Sequence, residues 1–305
     1  MKAYLRNLSC VVSAGALTCG VLALSPVTTA GAATAGHRAA AVCSGTIKAP
    51  GVLTGTHSGD VVVQGKCVVN AGPAVVDGNL TLSPGSALLA AFGLNDRTGH
   101  GKSSLTVRGD LQVGRDATLL LGCNPANFAC LDDPHPGKPT LSSHAIVGKN
   151  LVSQRPLGII VHNTSVGGNV TQNGGGAGKN CTPSGVFRHF HSPVYTTYEH
   201  GSVGGNVFVT GVRSCWMGLV TLHVGGEMVI RNNTLADPDA IEILANNIQG
   251  NLVCRGNSMT WDSADKGNSL FPRIPQPNTV AGKRAGQCVL SSPTKPGGPS
   301  GPGPF

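Results

Sequence analysis

The segment RHFHSPVYTTYEH, residues 188–200, concentrates side chains whose chemistry suits metal or ligand binding. Imidazole and carboxylate groups are the usual protein ligands of zinc and related ions. His189 and His191 are two residues apart, so on a strand both would point to one side, and Glu199 or His200 could complete a ligand set. The alternative is an exposed loop in which the aromatic rings pack locally and the histidines are solvated. The candidate ligand-binding positions are His189, His191, Tyr195, Tyr198 and Glu199, and the candidates for a metal are His189, His191 and His200.

Two short segments carry paired acidic residues. LDDPHP contains Asp132 and Asp133, and DPDAIE contains Asp237 and Asp239. Paired carboxylates can bind Ca²⁺ or act as acid and base in glycosidic cleavage, although Asp-Pro is also an ordinary turn sequence. The sequence has neither the glycine-rich nonapeptide repeat that binds calcium nor a G-x-S-x-G elbow. We therefore add Asp132 and Asp133 to the candidate ligand-binding residues, and we assign no catalytic residue and no cofactor.

These candidates interrupt a chain that is built on a repeated motif, a glycine corner followed by an alternating apolar segment. The motif occurs eight times, as SGDVVV, DGNLTL, RGDLQV, GKNLVS, GGNVTQ, GGNVFV, GGEMVI and QGNLVC. The alternation indicates half-buried strands, and 44 glycines and 20 prolines divide the chain into short segments. The sequence therefore predicts an all-β fold, a single-stranded parallel β-helix (β-solenoid) of about eight coils of roughly 20 residues with three inserted loops.

The corner itself is predicted to be structural. We expect its glycine to supply a positive φ where the chain turns between strands. A phosphate-binding loop is the alternative, but such a loop precedes a helix, whereas a strand is predicted after each corner. The residue after the glycine is most often Asn or Asp, and stacked coils would align these side chains in a hydrogen-bonded ladder of Asn79, Asp110, Asn150, Asn169, Asn206 and Asn251.

Three insertions depart from the repeat, at residues 92–104, 123–143 and 173–199. Function in a solenoid commonly resides on loops inserted on one face. The first two insertions follow the second strand of their coils, so they should emerge from the same corner. The third contains the segment 188–200. We expect the three loops to form one exposed patch.

The N-terminal residues have the features of a secretory signal peptide. Lys2 and Arg6 precede an apolar run, and small-residue cleavage sites follow it. No later segment has the roughly 18 consecutive apolar residues of a spanning helix, so no membrane span is expected. The predicted organisation is a signal peptide and short leader (1–41), the β-solenoid (42–253), a disulfide-closed C-terminal cap (254–290) and a disordered Pro/Gly-rich tail (291–305).

Eight cysteines follow the leader, and an even number in an exported chain indicates disulfides. Since the coils of a solenoid mainly contact their neighbours, the simplest pairing joins cysteines adjacent in sequence. A zinc site is the alternative, and the lack of a C-x2-C pair counts against it. The predicted pairs are Cys43–Cys67, Cys123–Cys130, Cys181–Cys215 and Cys254–Cys288.

The formal net charge of +8 falls to +5 if Lys2, Arg6 and Arg38 leave with the leader. The remaining charges are scattered and only 4% of the residues are aromatic, so no nucleic-acid partner is predicted. A solvated surface with weak attraction for anionic wall polymers is expected instead.

The repeated G-N-[VL]-x-V units and a closing G-N-L-x-C-x-G-N and P-N-T-V-x-G-x-x-x-G-Q-C resemble secreted actinobacterial proteins of unknown function. The closing residues here run from Gly250 to Asn257 and from Pro277 to Cys288. The resemblance implies export and a β-solenoid, and it transfers no catalytic residue. The repeats are also loosely similar to the bactofilin solenoid, but bactofilins are cytoplasmic polymers, so export counts against membership.

The sequence favours a non-enzymatic β-solenoid, secreted or at the cell surface, that binds glycan or protein partners through its inserted loops and could self-associate. The glycan expected is a cell-wall or extracellular polysaccharide. Two alternatives stay open. One is a β-helix polysaccharide lyase or hydrolase, which would need acids and a basic residue beside one strand face. The other is a metal-binding surface protein.

Overall fold

Short parallel strands stack into three long sheets, which we name A, B and C. The computed structural model describes residues 39–126, 128–135, 137–237, 241–258 and 278–289. In this part of the chain, sheet A contains ten strands: Ala41–Cys43, Val61–Val63, Leu80–Leu82, Leu111–Val113, Leu151–Gln154, Val170–Asn173, Val207–Thr210, Met228–Arg231, Leu252–Arg255 and Arg284–Gly286. Sheet B contains eight: Gly51–Val52, Lys66–Val68, Ala87–Ala90, Thr118–Leu121, Gly158–His162, Tyr195–Glu199, Trp216–Val220 and Ile241–Leu244. Sheet C contains nine: Gly55–His57, Pro73–Val76, Ser104–Val107, Ala145–Val147, Thr164–Val166, Ser202–Val203, His223–Val224, Asn247–Ile248 and Thr279–Val280.

The three sheets form the predicted solenoid. A full coil contributes one strand to sheet A, then one to sheet B and one to sheet C, and every strand pairs in parallel with the strands of neighbouring coils. Equivalent positions stack in register, as when Leu80 pairs with Leu111 and Leu111 pairs with Leu151. The inward side chains of all three sheets merge into one continuous apolar core. The prediction of a parallel β-helix is therefore confirmed.

The corner glycines allow close stacking of the backbone. In the described repeats no corner glycine has a positive φ, so the expectation of a left-handed turn is wrong. A Cβ on the first glycine of a corner would instead collide with the preceding coil, as shown by the 2.3 Å between a Cβ on Gly204 and the carbonyl oxygen of Gly167. A Cβ on the second glycine, Gly205, would lie 2.3 Å from Asn169 Oδ1.

The residues after these glycines form a ladder along the corner between sheets C and A. The backbone N–H of Asn169 donates to Asn150 Oδ1 at 2.9 Å, and the N–H of Asn206 donates to Asn169 Oδ1 at 2.8 Å. The side-chain amides of Asn150 and Asn169 add contacts with the preceding side chain. The same N–H contacts occur at Asn79, Asp110, Asn150, Glu227 and Lys283. Backbone N–H groups are therefore the principal donors of the ladder.

Two further asparagine ladders lie inside the coil, and the sequence analysis did not identify them. At the corner between sheets B and C, the Asn246 amide donates to Leu219 O at 2.8 Å and to Asn278 Oδ1 at 2.9 Å. At the corner between sheets A and B, the Asn233 amide donates to Asn257 Oδ1 at 3.0 Å. These buried amides satisfy main-chain groups that turn inward where the strands end.

Insertions occur at the corners on both sides of sheet B, where its strands begin and end. Residues 91–103 and 122–144 connect sheet B to sheet C, whereas residues 174–194 connect sheet A to sheet B. The third insertion therefore leaves from a different corner and ends before the strand Tyr195–Glu199. The central strands of sheet B are buried along their whole length, and a second apolar cluster covers their outer face: Ala91, Leu120, Cys123, Cys130, Ile160, Phe187, Val194, Tyr195, Cys215 and Trp216. The inserted loops are thus the outer layer of sheet B.

The structure joins the four cysteine pairs that the sequence predicts. Two bonds, Cys43–Cys67 and Cys254–Cys288, lie in the solenoid interior towards its two ends. The other two, Cys123–Cys130 and Cys181–Cys215, lie in the cluster beneath the loops. The disulfides therefore close the ends of the core, form a ring within the second loop at Cys123–Cys130, and fasten the third loop beside the strand Trp216–Val220 at Cys181–Cys215.

The predicted signal peptide up to residue 38, the tail, and residues 259–277 and 290 of the predicted cap lie outside the described residues. Within the rest of the cap, Thr279–Val280 pairs with Asn247–Ile248 and Arg284–Gly286 pairs with Leu252–Arg255, both in parallel. The described part of the cap therefore extends the solenoid. The described residues contain no helix that is long and apolar enough to cross a bilayer.

Candidate functional site

Aromatic rings rest on glycines in the outer face of sheet B. A Cβ on Gly158 would lie 2.4 Å from Phe187 Cζ, and a Cβ on Gly218 would lie 2.2 Å from Trp216 Cη2. The Tyr195 ring packs edge-on against both rings, with centroids 5.7 Å from Phe187 and 5.9 Å from Trp216. Gly158 therefore lets the third loop lie directly on the sheet, and Gly218 makes room for the Trp216 ring of its own strand.

The predicted acids occupy separate structural positions. Asp132 accepts the backbone N–H groups of Gly93 at 2.8 Å and Leu94 at 2.7 Å, so it ties the second loop to the first. Asp237 is buried, and its N–H donates to the carbonyl oxygen of Cys215. Asp239 lies outside the described residues.

Asp133 holds the second loop in its own conformation. Its carboxylate accepts the N–H groups of His135 at 2.9 Å, Thr140 at 2.7 Å and Leu141 at 2.8 Å. The Leu141 N–H contributes most to holding the pKa of Asp133 below its ordinary range, and partial burial opposes this effect. Asp133 is therefore an ionised anchor for loop backbone.

The segment 188–200 is divided between a helix and a strand. His189 belongs to the 3-10 helix Gly185–Phe190 and His191 follows it, and both residues are exposed. Tyr195 packs in the outer cluster, whereas the Tyr198 hydroxyl donates to Gln172 Oε1 at 2.8 Å inside the solenoid. Burial raises the pKa of both tyrosines. The structure therefore does not bring these four predicted residues together.

Glu199 and His200 instead meet His162, a residue of the preceding coil. Glu199 pairs in register with His162. Nδ1 of His162 lies 3.6 Å from Glu199 Oε2, and Nδ1 of His200 lies 3.9 Å from the same oxygen. One ligand atom from each of the three residues lies within 4.8 Å of the other two. The Thr197 hydroxyl donates to the other carboxylate oxygen, Oε1. Two imidazole nitrogens and one carboxylate oxygen thus converge.

This cluster is enclosed on nearly all sides. The exposed fraction of the side chain is 3% for His162, 0% for Glu199 and 26% for His200. The ring of Phe128, from the second loop, stacks on His162 with centroids 4.6 Å apart and planes inclined by 8°. Burial, with a smaller contribution from His200, lowers the pKa of His162 to about 3, and burial also lowers the pKa of His200. Both imidazoles are therefore neutral at pH 7, which is the form that binds metals.

The sequence analysis identified Glu199 and His200 but missed His162. A signal for it exists in the repeat. His162 and Glu199 each stand five residues before the first glycine of a corner, Gly167 and Gly204 respectively. Aligning the units on their corners would have stacked the two residues in adjacent coils.

The outer surface of the loops presents positive charge. The described residues of the three loops include five cationic side chains, and none of these lies within ion-pair distance of a carboxylate. Among the acids of the same loops, Asp132 and Asp133 are engaged by backbone N–H groups, whereas Asp96 is exposed and accepts the side-chain amide of Asn70. The exposed cations are Arg97, Lys102, Lys138, Lys179 and Arg188.

A second surface feature is an open groove along the outer face of sheet C. Valines and glycines of the sheet C strands and their corners contribute to its lining, together with Ile146, Ser165, Ser202, His223, Asn247 and Gln249. This groove lies on a different face of the coil from the inserted loops.

No protein-family model, curated protein or solved structure matches the chain. The basis for assigning a function is therefore the fold and the chemistry of its surfaces.

Proposed function

We propose that the chain is an exported, non-enzymatic β-solenoid that binds an anionic polysaccharide, at the cell surface or in the extracellular matrix, through the loops that cover sheet B. The observation that carries the proposal is the separation of charge within these loops. Their five cations are exposed, whereas of their acids Asp96 is exposed and Asp132 and Asp133 accept hydrogen bonds from loop backbone. A surface with an excess of one sign attracts polymers of the opposite sign.

The rigidity of the loops supports this proposal. The bond Cys123–Cys130 closes a ring within the second loop, Cys181–Cys215 fastens the third loop, and Phe187 rests on Gly158 of sheet B. Binding then requires little ordering of the protein, so more of the interaction energy contributes to affinity.

Export is the part of the proposal that rests on the N-terminal sequence and on the disulfides. Four disulfides are typical of an oxidising compartment. The resemblance to secreted actinobacterial proteins points the same way, and it stays a prediction.

The test is electrophoresis of the purified chain through gels containing polygalacturonate, with neutral dextran as the reference polymer. We expect retardation in polygalacturonate that weakens as the salt concentration rises. The double variant Lys138→Glu/Arg188→Glu should lose at least about tenfold in affinity, because each change reverses a charge on the loop surface. The matched control is Lys149→Glu/Lys283→Glu, which makes the same charge change at exposed positions of the corner between sheets C and A.

Three results would contradict the proposal: equal losses in the two double variants, equal retardation in dextran, or loss of binding in Ser202→Trp alone, which alters the sheet C groove. Release of reducing ends in the same mixtures would instead favour the alternative of a polysaccharide lyase or hydrolase.

A further inference from the structure

We infer that His162, Glu199 and His200 form a binding site for one divalent transition-metal ion of the Zn²⁺ type. The inference goes beyond polysaccharide binding, and it uses a buried cluster rather than the cations of the loop surface. It also differs from the site expected from the sequence, since His189 and His191 do not contribute.

The spacing of the three ligand atoms is close to that of a zinc site. Zn–N and Zn–O bonds of about 2.0–2.1 Å and tetrahedral angles separate neighbouring ligand atoms by about 3.3–3.4 Å. The observed separations from Glu199 Oε2 are 3.6 Å to His162 Nδ1 and 3.9 Å to His200 Nδ1. The two imidazole ligand atoms lie within 4.8 Å of each other, and a movement chiefly of the less buried His200 would bring the three atoms to coordination distance.

The buried carboxylate of Glu199 also suits a dication. Carboxylates that are fully removed from water need compensating charge or hydrogen bonds. Thr197 supplies a hydrogen bond to Oε1 of Glu199, and this contact directs Oε2 towards the two imidazoles. A second partner that orients a ligating group is a regular feature of protein metal sites.

The surroundings define how an ion would enter and what would complete its shell. Phe128 closes the side of His162, whereas His200 is partly exposed. The Nδ1 atom of His200 is itself buried, so an ion would enter as the partly exposed His200 ring moves aside. A set of two histidines and one glutamate leaves a fourth position, which we assign to water.

A second cluster of metal-binding side chains offers a comparison. Cys181, Cys215 and Asp237 also converge within the described residues. The two cysteines are bonded to each other, so neither presents a thiolate. The histidine–glutamate cluster is thus the stronger candidate.

The experiment measures zinc retained by the full chain. After treatment with a chelator, the protein is incubated with Zn²⁺, desalted and analysed for zinc by mass spectrometry. Affinity is measured against a chromophoric chelator, and Co²⁺ absorption reports the coordination geometry. We expect one ion per chain, with the intense visible bands of tetrahedral Co²⁺.

The decisive variants are His162→Gln and His200→Asn. His200 has a φ of 52°, a conformation that asparagine tolerates, so His200→Asn removes the imidazole without opposing the backbone. Each variant should bind at least about 100-fold more weakly, because loss of a direct ligand costs more than the 10–100-fold typical of a second partner. The matched control is the exposed pair, His189→Gln/His191→Gln, which should retain one ion.

Thermal unfolding without metal shows whether each variant folds. If His162→Gln does not fold, zinc binding by His200→Asn tests the site. Failure of the native chain to retain zinc would overturn the inference, and so would unchanged binding by His200→Asn. Loss of zinc only in His189→Gln/His191→Gln would place the site at the 3-10 helix, and this result would also overturn the inference. The variant Lys138→Glu/Arg188→Glu should bind zinc normally, so the metal site and the polysaccharide surface can fail separately.

Discussion

Asn169 Oδ1 occupies the space that a Cβ on Gly205 would need, since the two atoms would be 2.3 Å apart. The same oxygen accepts the N–H of Asn206 at 2.8 Å. A ladder asparagine in one coil therefore favours a glycine in the next, although Lys149 stands at the equivalent place above Asp110. This dependence explains why glycine and asparagine recur as neighbours along the chain.

The first prediction concerns this corner. Gly205→Ala should lower the free energy of unfolding by about 1–3 kcal/mol, because the new methyl group must displace Asn169 or the backbone. Gly59 occupies the equivalent place in an earlier coil, where a Cβ would meet nothing within 4 Å. Gly59→Ala should therefore change stability by less than about 0.5 kcal/mol. Denaturant unfolding measures both, and equal effects would show that the contact with Asn169 is unimportant.

The second prediction concerns the interior ladder. Asn246→Ala should destabilise the fold by about 2–4 kcal/mol, because Leu222 N–H and Leu219 O would lose buried partners. Asn251→Ala is the control from the outer ladder. Asn251 is exposed and accepts the N–H of Lys283, a donor that water can satisfy, so its loss should cost about 0.5–1 kcal/mol. The reverse order of the two effects would contradict the role assigned to the buried amides.

The third prediction concerns the layer outside sheet B. Gly158→Ala should be destabilising by about 1–3 kcal/mol, since its Cβ would collide with the Phe187 ring. In a Phe187→Ala background most of that penalty should disappear, because the ring is gone. A double-mutant cycle on unfolding free energies measures this coupling. Strictly additive effects would mean that Phe187 does not rest on Gly158.

The fourth prediction concerns the loss of stability at low pH. The pKa of Asp133 is depressed in the folded chain, so the unfolded chain takes up a proton first as the pH falls. The contribution of Asp133 to stability is therefore complete above the unfolded pKa of about 3.9, and it is lost as the pH falls through the lower folded value. Three N–H groups and the nearby His135 face the carboxylate, and they favour its charged form.

Melting temperatures of the native chain and Asp133→Asn, measured from pH 7 to pH 2, test this expectation. The native chain should melt higher above about pH 5, and the difference should shrink below about pH 4. Asp96→Asn, which removes an exposed carboxylate of the first loop, should have little effect at pH 7. A difference for Asp133→Asn that stays constant across the range would count against an ionised anchor.

The sequence predicted those parts of the fold that repeat at short range. The corner motif defined the coil, and pairing between sequence neighbours identified the bond Cys181–Cys215. The reason given for the corner glycine was wrong, because the collision with Asn169 exists only between stacked coils. The φ preference of a glycine can be predicted from that residue alone. A collision between its Cβ position and another coil can be predicted only when the residue stacked against it is known.

The histidine–glutamate cluster shows the same limit. His189 and His191 attracted attention because they are close in sequence, whereas His162 joins Glu199 across a whole coil. The insertion between them hides this relation unless the corners are aligned. Likewise, Asp132 and Asp133 looked like free carboxylates because their partners are backbone N–H groups, which every residue type except proline possesses.

The bonds Cys43–Cys67 and Cys254–Cys288 have a mechanical consequence. A stack in which each turn holds only its neighbours should unravel from its free ends, one turn at a time. Covalent links near both ends of the described stack oppose that peeling. Under tension, separation must then begin between turns in the middle, where three sheets have to part together. We therefore expect the described stack to resist pulling from its ends more strongly than the same stack without these two bonds.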